Sequence, residues 1–106
     1  MKQDKIYALL GLAMKGRNVV SGEFSTENAV RGGSAMLVIV AGDASDNTKK
    51  KFRDMCTYYK VNIYFYGSKE QLGHAIGKEF RASVAIIDAN LARATETVLI
   101  EEQEGA

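Results

Sequence analysis

The stretch Ser21-Gly22-Glu23-Phe24-Ser25-Thr26-Glu27-Asn28-Ala29-Val30-Arg31 follows directly on the apolar pair Val19-Val20. It reads as a strand that turns through glycine into a helix. Such a turn presents the unpaired amides of the first helical turn, and the positive end of the helix dipole, to whatever lies outside. Gly22 has no Cβ, so an anion or a nucleic-acid backbone can approach the main chain there. A second segment, Lys78-Glu79-Phe80-Arg81, interleaves charges with an aromatic in a turn. Two readings of it stay open: Phe80 folds back over the edge of the core, or it offers a platform for an unstacked base with cations beside it.

Residues with covalent or metal chemistry are sparse. The single histidine, His74, sits between inward-facing Leu72 and Ala75-Ile76 on a helical pattern and is expected to face solvent. The single cysteine, Cys56, falls on the apolar face of its helix, where burial raises a thiol pKa and blocks access. No ligand cluster occurs at metal-binding spacing. Gly73-His74-Ala75-Ile76-Gly77-Lys78-Glu79 superficially resembles a phosphate-binding loop. That motif needs four residues between its glycines and a Ser or Thr after the lysine. Here three residues intervene and Glu79 follows, so nucleotide hydrolysis is not expected. The expectation is a protein that is no enzyme and carries no cofactor.

The elements that hold these segments follow from apolar periodicity. Ile6, Leu9, Leu10 and Ala13 predict a helix from about Asp4 to Met14, with Gly16 as its terminal glycine. Val19-Val20 predicts a short strand, and the helix entered at Gly22 closes at Gly32-Gly33. Met36–Ala41 is a continuous apolar run, the pattern of a strand covered on both faces. Asp43–Asn47 supplies capping groups for a helix with Phe52, Met55, Cys56 and Tyr59 on its inner face. Its outer face carries Lys49, Lys50, Lys51, Arg53 and Lys60; such a run most simply serves as a solvated surface. Val61–Tyr66 predicts a third strand, Ser68-x-x-Gln71 a capping box, Ser83–Asp88 a fourth strand and Leu91–Leu99 a last helix. Helix and strand alternate throughout, which calls for a three-layer α/β/α sandwich.

The chain of 106 residues, 46% apolar, is large enough for one core, and it contains no proline, linker or repeat. The expected organisation is a single domain over residues 1–100 with an acidic tail at 101–106. The net charge of +1 hides an asymmetry. All 14 Lys and Arg precede residue 95, against nine acidic residues there, and Glu96, Glu101, Glu102 and Glu104 follow. A basic body of this kind is permissive for RNA. No apolar run approaches the roughly 18 residues of a membrane span. The N-terminal pattern is amphipathic and unlike a secretory leader, and one cysteine fits a reducing compartment, so cytoplasm is expected.

Several blocks then occur together in order: Leu10-Gly11-Leu12-Ala13, Val20-Ser21-Gly22-Glu23, Asp43 to Lys51, Tyr58-Tyr59-Lys60-Val61 and Leu72 to Glu79. In these the chain resembles the YlxQ branch of the ribosomal protein L7Ae/L30e superfamily over roughly residues 5–100. The resemblance implies an L30e-like α/β/α sandwich on a central four-stranded mixed sheet. It also implies binding of kink-turn RNA, ribosomal RNA included, with neither DNA nor membrane as a partner. In that family the helix after the first strand enters the major groove at tandem sheared G·A pairs. The motif there reads Gly, any residue, Asn, Glu, any two residues, Lys. Gly22 fills the glycine position; Phe24 stands in place of Asn, Ser25 in place of Glu and Asn28 in place of Lys. Glu23 and Arg31 bring a carboxylate and a cation near the motif without occupying its positions.

The family's second contact, a loop against the bulged nucleotides, falls on Lys78, Glu79, Phe80 and Arg81, where the acidic-then-apolar pair is kept and Arg81 adds a cation for a phosphate. The expected function is therefore recognition of structured, kink-turn-like RNA in translation, by stabilising the bent conformer. The alternative is a protein-interaction module that keeps the fold but has lost specific kink-turn recognition, as the three substitutions permit.

Overall fold

The computed structural model describes residues 2–104. Nine elements alternate as the periodicity requires: α1 (Lys2–Lys15), β1 (Val19–Ser21), α2 (Glu23–Arg31), β2 (Leu37–Val40), α3 (Asp46–Tyr59), β3 (Ile63–Phe65), α4 (Lys69–Ala75), β4 (Ser83–Ile86) and α5 (Ala89–Glu104). The strands form one mixed sheet in the order β1-β4-β2-β3. β4 runs antiparallel to both β1 and β2, while β2 and β3 are parallel. Helix α1 packs against α4 and α5 on one face, and α2 packs against α3 on the other. Every residue of the two inner strands, β2 and β4, is buried, which is why β2 reads as an unbroken apolar run and β4 as one interrupted only by Ser83. Phe52, Ile6, Leu10, Leu37, Ile39, Leu72, Ile86 and Leu99 are the largest fully buried side chains, drawn from both helical layers and the sheet between them.

Local signals explain most boundaries. Ser45 caps α3 by accepting a hydrogen bond from the Thr48 amide at 3.1 Å. Ser68 and Gln71 close the expected capping box on α4. Three ends differ from the sequence reading. The left-handed residue after α1 is Arg17, at φ 59°, and not Gly16. The Asn18 amide then reaches back to the Ala13 carbonyl at 2.7 Å. Lys60, at φ 60°, ends α3 in the same way, and the Val61 amide is spent on the Cys56 carbonyl at 2.9 Å. Strand β3 therefore starts only at Ile63. Asp88 leaves its strand early because its carboxylate caps α5, accepting from the Leu91 amide at 2.9 Å.

The acidic residues expected as a tail are carried as a continuation of α5 as far as Glu104; residues 105–106 lie outside the described residues. No helix among the described residues is long and apolar enough to cross a membrane.

Candidate nucleic-acid interface

Sheet register brings the two candidate segments together. Ser21 at the end of β1 lies opposite Val84, while Val40 at the end of β2 lies opposite both Ser83 and Phe65. The loops after β1, β2 and β3, and the loop before β4, therefore crowd one edge of the sandwich. Hydrogen bonds stitch them. The Gly22 amide donates to the Ser83 carbonyl at 2.9 Å, and Arg81 Nε donates to Ser21 Oγ at 3.0 Å. The Ala41 amide donates to the Ala82 carbonyl at 2.8 Å, and the Arg81 amide to the Lys69 carbonyl at 3.0 Å. Asp43 closes the set, accepting from the Lys69 amide at 2.9 Å.

Gly22 occupies the N-cap of α2 at φ 89°, ψ 161°, a conformation open almost only to glycine, and no side chain caps the helix. A Cβ built there would meet nothing within 4 Å, so this position faces open space. The first-turn amides are left to a partner or to water. Phe24 is 76% exposed on that first turn, and Ser25 and Asn28 are exposed on the same helix. Phe80 is 60% exposed, which removes the reading in which it folds over the core edge. Lys78 and Glu79 are exposed beside it.

Glu23 and Arg31 are placed less simply. Lys51, reaching across from α3, pairs with Glu23 at 3.3 Å and Glu27 at 2.8 Å, while Arg31 pairs with Glu27 at 2.7 Å. The Lys51 hydrogen bond is the main reason the Glu27 carboxyl lies below its ordinary range, and Glu27 in turn raises the Lys51 ammonium. Lys51 alone of these groups ties α3 to α2; the Arg31–Glu27 pair lies within α2. Arg31 stands in the last turn of α2, about 12 Å along the helix from its tip at 1.5 Å per residue, where its charge suits the C-terminal dipole end. The structure thus gathers Gly22, Glu23, Phe24 and Ser25 with Lys78 to Arg81 and sets Arg31 apart.

Arg81 is partly committed to the protein. Besides Ser21 it donates through an Nη to the Phe80 carbonyl at 2.7 Å, so it fixes the aromatic loop against β1. Arg81→Ala should lower stability by about 1 kcal/mol, the loss of two partly exposed hydrogen bonds, as read by urea denaturation. An unchanged midpoint would mean the joint is held by main-chain bonds alone.

Two participants escaped the sequence reading. Ser21 stands in the block Val20-Ser21-Gly22-Glu23, but only the pairing of β1 with β4 reveals its bond to Arg81. Gly73 belongs in sequence to a failed phosphate loop, yet a Cβ on it would lie 2.2 Å from the Glu79 carbonyl oxygen and 3.0 Å from the Phe80 nitrogen. The aromatic loop rests directly on α4 at that glycine. Two side chains lie as their helical positions predict. His74 is exposed, and burial pushes the Cys56 thiol up to about 11. Of the lysine run, Lys50 pairs with Asp54 at 2.7 Å on the solvated face. Among the described residues no group of three or more His, Cys, Asp or Glu is placed to hold a metal.

Residues 4–96 match the ribosomal protein L7Ae/L30e/S12e/Gadd45 family. The chain is 46% identical over 86 residues to the RNA-binding protein YlxQ of Bacillus subtilis, covering 81% of this chain and 86% of the relative. It is 36% identical over 97 residues to the RNA-binding protein YlxQ of Enterococcus faecium, covering 92% and 93%. A solved structure of a protein of unknown function from Bacillus halodurans superposes with a TM-score of 0.89 at 37% identity, over 92% of this chain and 98% of that one.

Proposed function

The chain belongs to the ribosomal protein L7Ae/L30e/S12e/Gadd45 family, and from that premise we propose that it is an RNA-binding protein of the cytoplasm that selects a sharply bent RNA of the kink-turn type, in the service of translation. The observation that carries this reading is the hydrogen-bonded joint between the tip of α2 and the loop before β4, at Gly22–Ser83 and Ser21–Arg81. It makes two separate binding segments one rigid edge. Unpaired amides at the tip suit a phosphate, and exposed Phe80 with Lys78 beside it suits an unstacked nucleotide. Two such contacts at a fixed separation fit only conformers of RNA that bring the corresponding groups together. A bend of this kind crowds phosphates, and a protein that binds the bent form better shifts the population toward it. No covalent step is involved.

The departures at Phe24, Ser25 and Asn28 remove the carboxylate and the lysine charge from the motif; Ser25 and Asn28 can still hydrogen-bond, but backbone donors then carry phosphate contact more than base discrimination. Electrophoretic mobility shift against a kink-turn duplex and a control with its G·A pairs replaced by Watson–Crick pairs tests the proposal. The kink-turn should bind more tightly. Three to five phosphate contacts predict a log–log salt slope of about −2 to −4. Equal affinity for the two duplexes across the titration would reduce the activity to generic polyanion binding. A partner retained from nuclease-treated lysate, with no RNA binding at all, would favour the protein-interaction module.

A further inference from the structure

Two phenylalanines stand bare on adjoining segments. Phe24 lies two residues beyond Gly22 and Phe80 one residue before Arg81, on the two sides of the hydrogen-bonded joint. With 76% and 60% of their surfaces exposed, both rings leave apolar area in water that a partner could cover. The aromatic pairs among the described residues are Tyr7–Tyr66 and Tyr58–Tyr59, and the cation–ring contact is Arg53 over Phe65. Both phenylalanine rings are therefore open at the edge already proposed to receive RNA.

A phenyl ring makes no hydrogen bond to the edge of a base. It can offer only its face and rim, and in a continuous duplex the faces of the bases are taken by their neighbours. A ring at the tip of α2 therefore gains from RNA only if the RNA supplies a base outside its stack. The setting favours a nucleotide over an apolar protein partner. Beside Phe24 are the uncapped amides of the first turn, and beside Phe80 are Lys78 and Arg81, so each ring has a phosphate-binding group at hand.

We propose that Phe24 is a second stacking platform, and that the RNA recognised at this edge presents two unstacked nucleobases, one to Phe24 and one to Phe80. The proposal rests on the RNA-binding reading above and narrows it. The ligand class becomes RNA with at least two unpaired nucleotides flanking the bend, and discrimination at Phe24 depends on the availability of a base face and not on base-edge hydrogen bonding.

The test uses the full chain and a kink-turn RNA whose unpaired nucleotides are made abasic one at a time. Phe24→Ala should weaken binding about 5- to 150-fold, the span of 1–3 kcal/mol for a stacked base. Phe24→Trp should bind at least as well as the parent. The salt slope should stay the same in both, since no phosphate contact is removed. One abasic position should abolish the difference between parent and Phe24→Ala, and a different position that between parent and Phe80→Ala. The proposal is overturned if Phe24→Ala binds like the parent while Phe80→Ala does not, or if both variants respond to the same abasic position. A parent protein that discriminates neither the kink-turn nor its control would instead remove the broader reading, and this one with it.

Discussion

Replacing Gly22 by Asp should cost RNA affinity on the order of 100- to 1,000-fold, whereas Gly22→Ala should cost about tenfold. The two variants share one penalty and differ in another. Both put a Cβ on a backbone at φ 89°, ψ 161°, a strain of about 1–3 kcal/mol in folding stability. With domain stabilities of about 5–15 kcal/mol, the folded state survives this in either variant. Within the protein there is no clash to add, because the added Cβ meets nothing within 4 Å. What separates Asp from Ala is a negative charge where a phosphate is expected to dock, and like charges brought together at an interface cost several kcal/mol. Urea denaturation should give the two variants similar losses, while mobility shift at fixed salt should rank parent, Ala and Asp in descending affinity. If Asp and Ala bind equally, no anion approaches this tip.

Much of this architecture is legible in the chain because its signals are local. Buried strands such as Leu37–Val40 and Ser83–Ile86 are apolar at nearly every position, and Ser45, Ser68 and Asp88 are capping residues whose side chains act within three positions of themselves. Two of the three misread ends share one cause. Arg17 and Lys60 adopt left-handed conformations that propensity reserves for glycine or asparagine, because the closing hydrogen bonds of α1 and α3 outweigh the penalty. The candidate site divides along the same line. Gly22 and the Lys78–Arg81 turn can be found by type and spacing. The bond from Arg81 to Ser21 spans 60 positions and exists only once β1 pairs with β4. The fate of Arg31 is local, since Glu27 four positions earlier on the same helix holds it, whereas that of Lys51 is tertiary: of three consecutive lysines that look alike in sequence, it is the one that crosses to α2.

Gly73→Ala carries the second large expectation, and it falls on stability and binding at once. The new Cβ would lie 2.2 Å from the Glu79 carbonyl oxygen, 2.6 Å from its carbon and 3.0 Å from the Phe80 nitrogen. All three are main-chain atoms, so no side-chain rotation can relieve the contact, and either α4 or the loop must move. The Lys78 amide also donates to the Gly73 carbonyl at 2.8 Å, which pins the loop to this residue and makes a small adjustment harder. Overpacking of this kind costs about 1–3 kcal/mol. For a domain of this size each kcal/mol lowers Tm by about 4–8 °C. Because the displaced atoms belong to Glu79 and Phe80, the shift should also misplace the exposed ring and strain the Arg81–Ser21 bond, lowering RNA affinity by about tenfold or more.

Gly77→Ala is the matching control: at φ 74° it introduces backbone strain, but its Cβ meets nothing within 4 Å. Thermal melts should show both variants destabilised, and mobility shift under conditions where both are folded should show the larger loss of affinity for Gly73→Ala. Equal binding by these two variants would mean that the seat of the aromatic loop on α4 does not set the geometry of the docking edge.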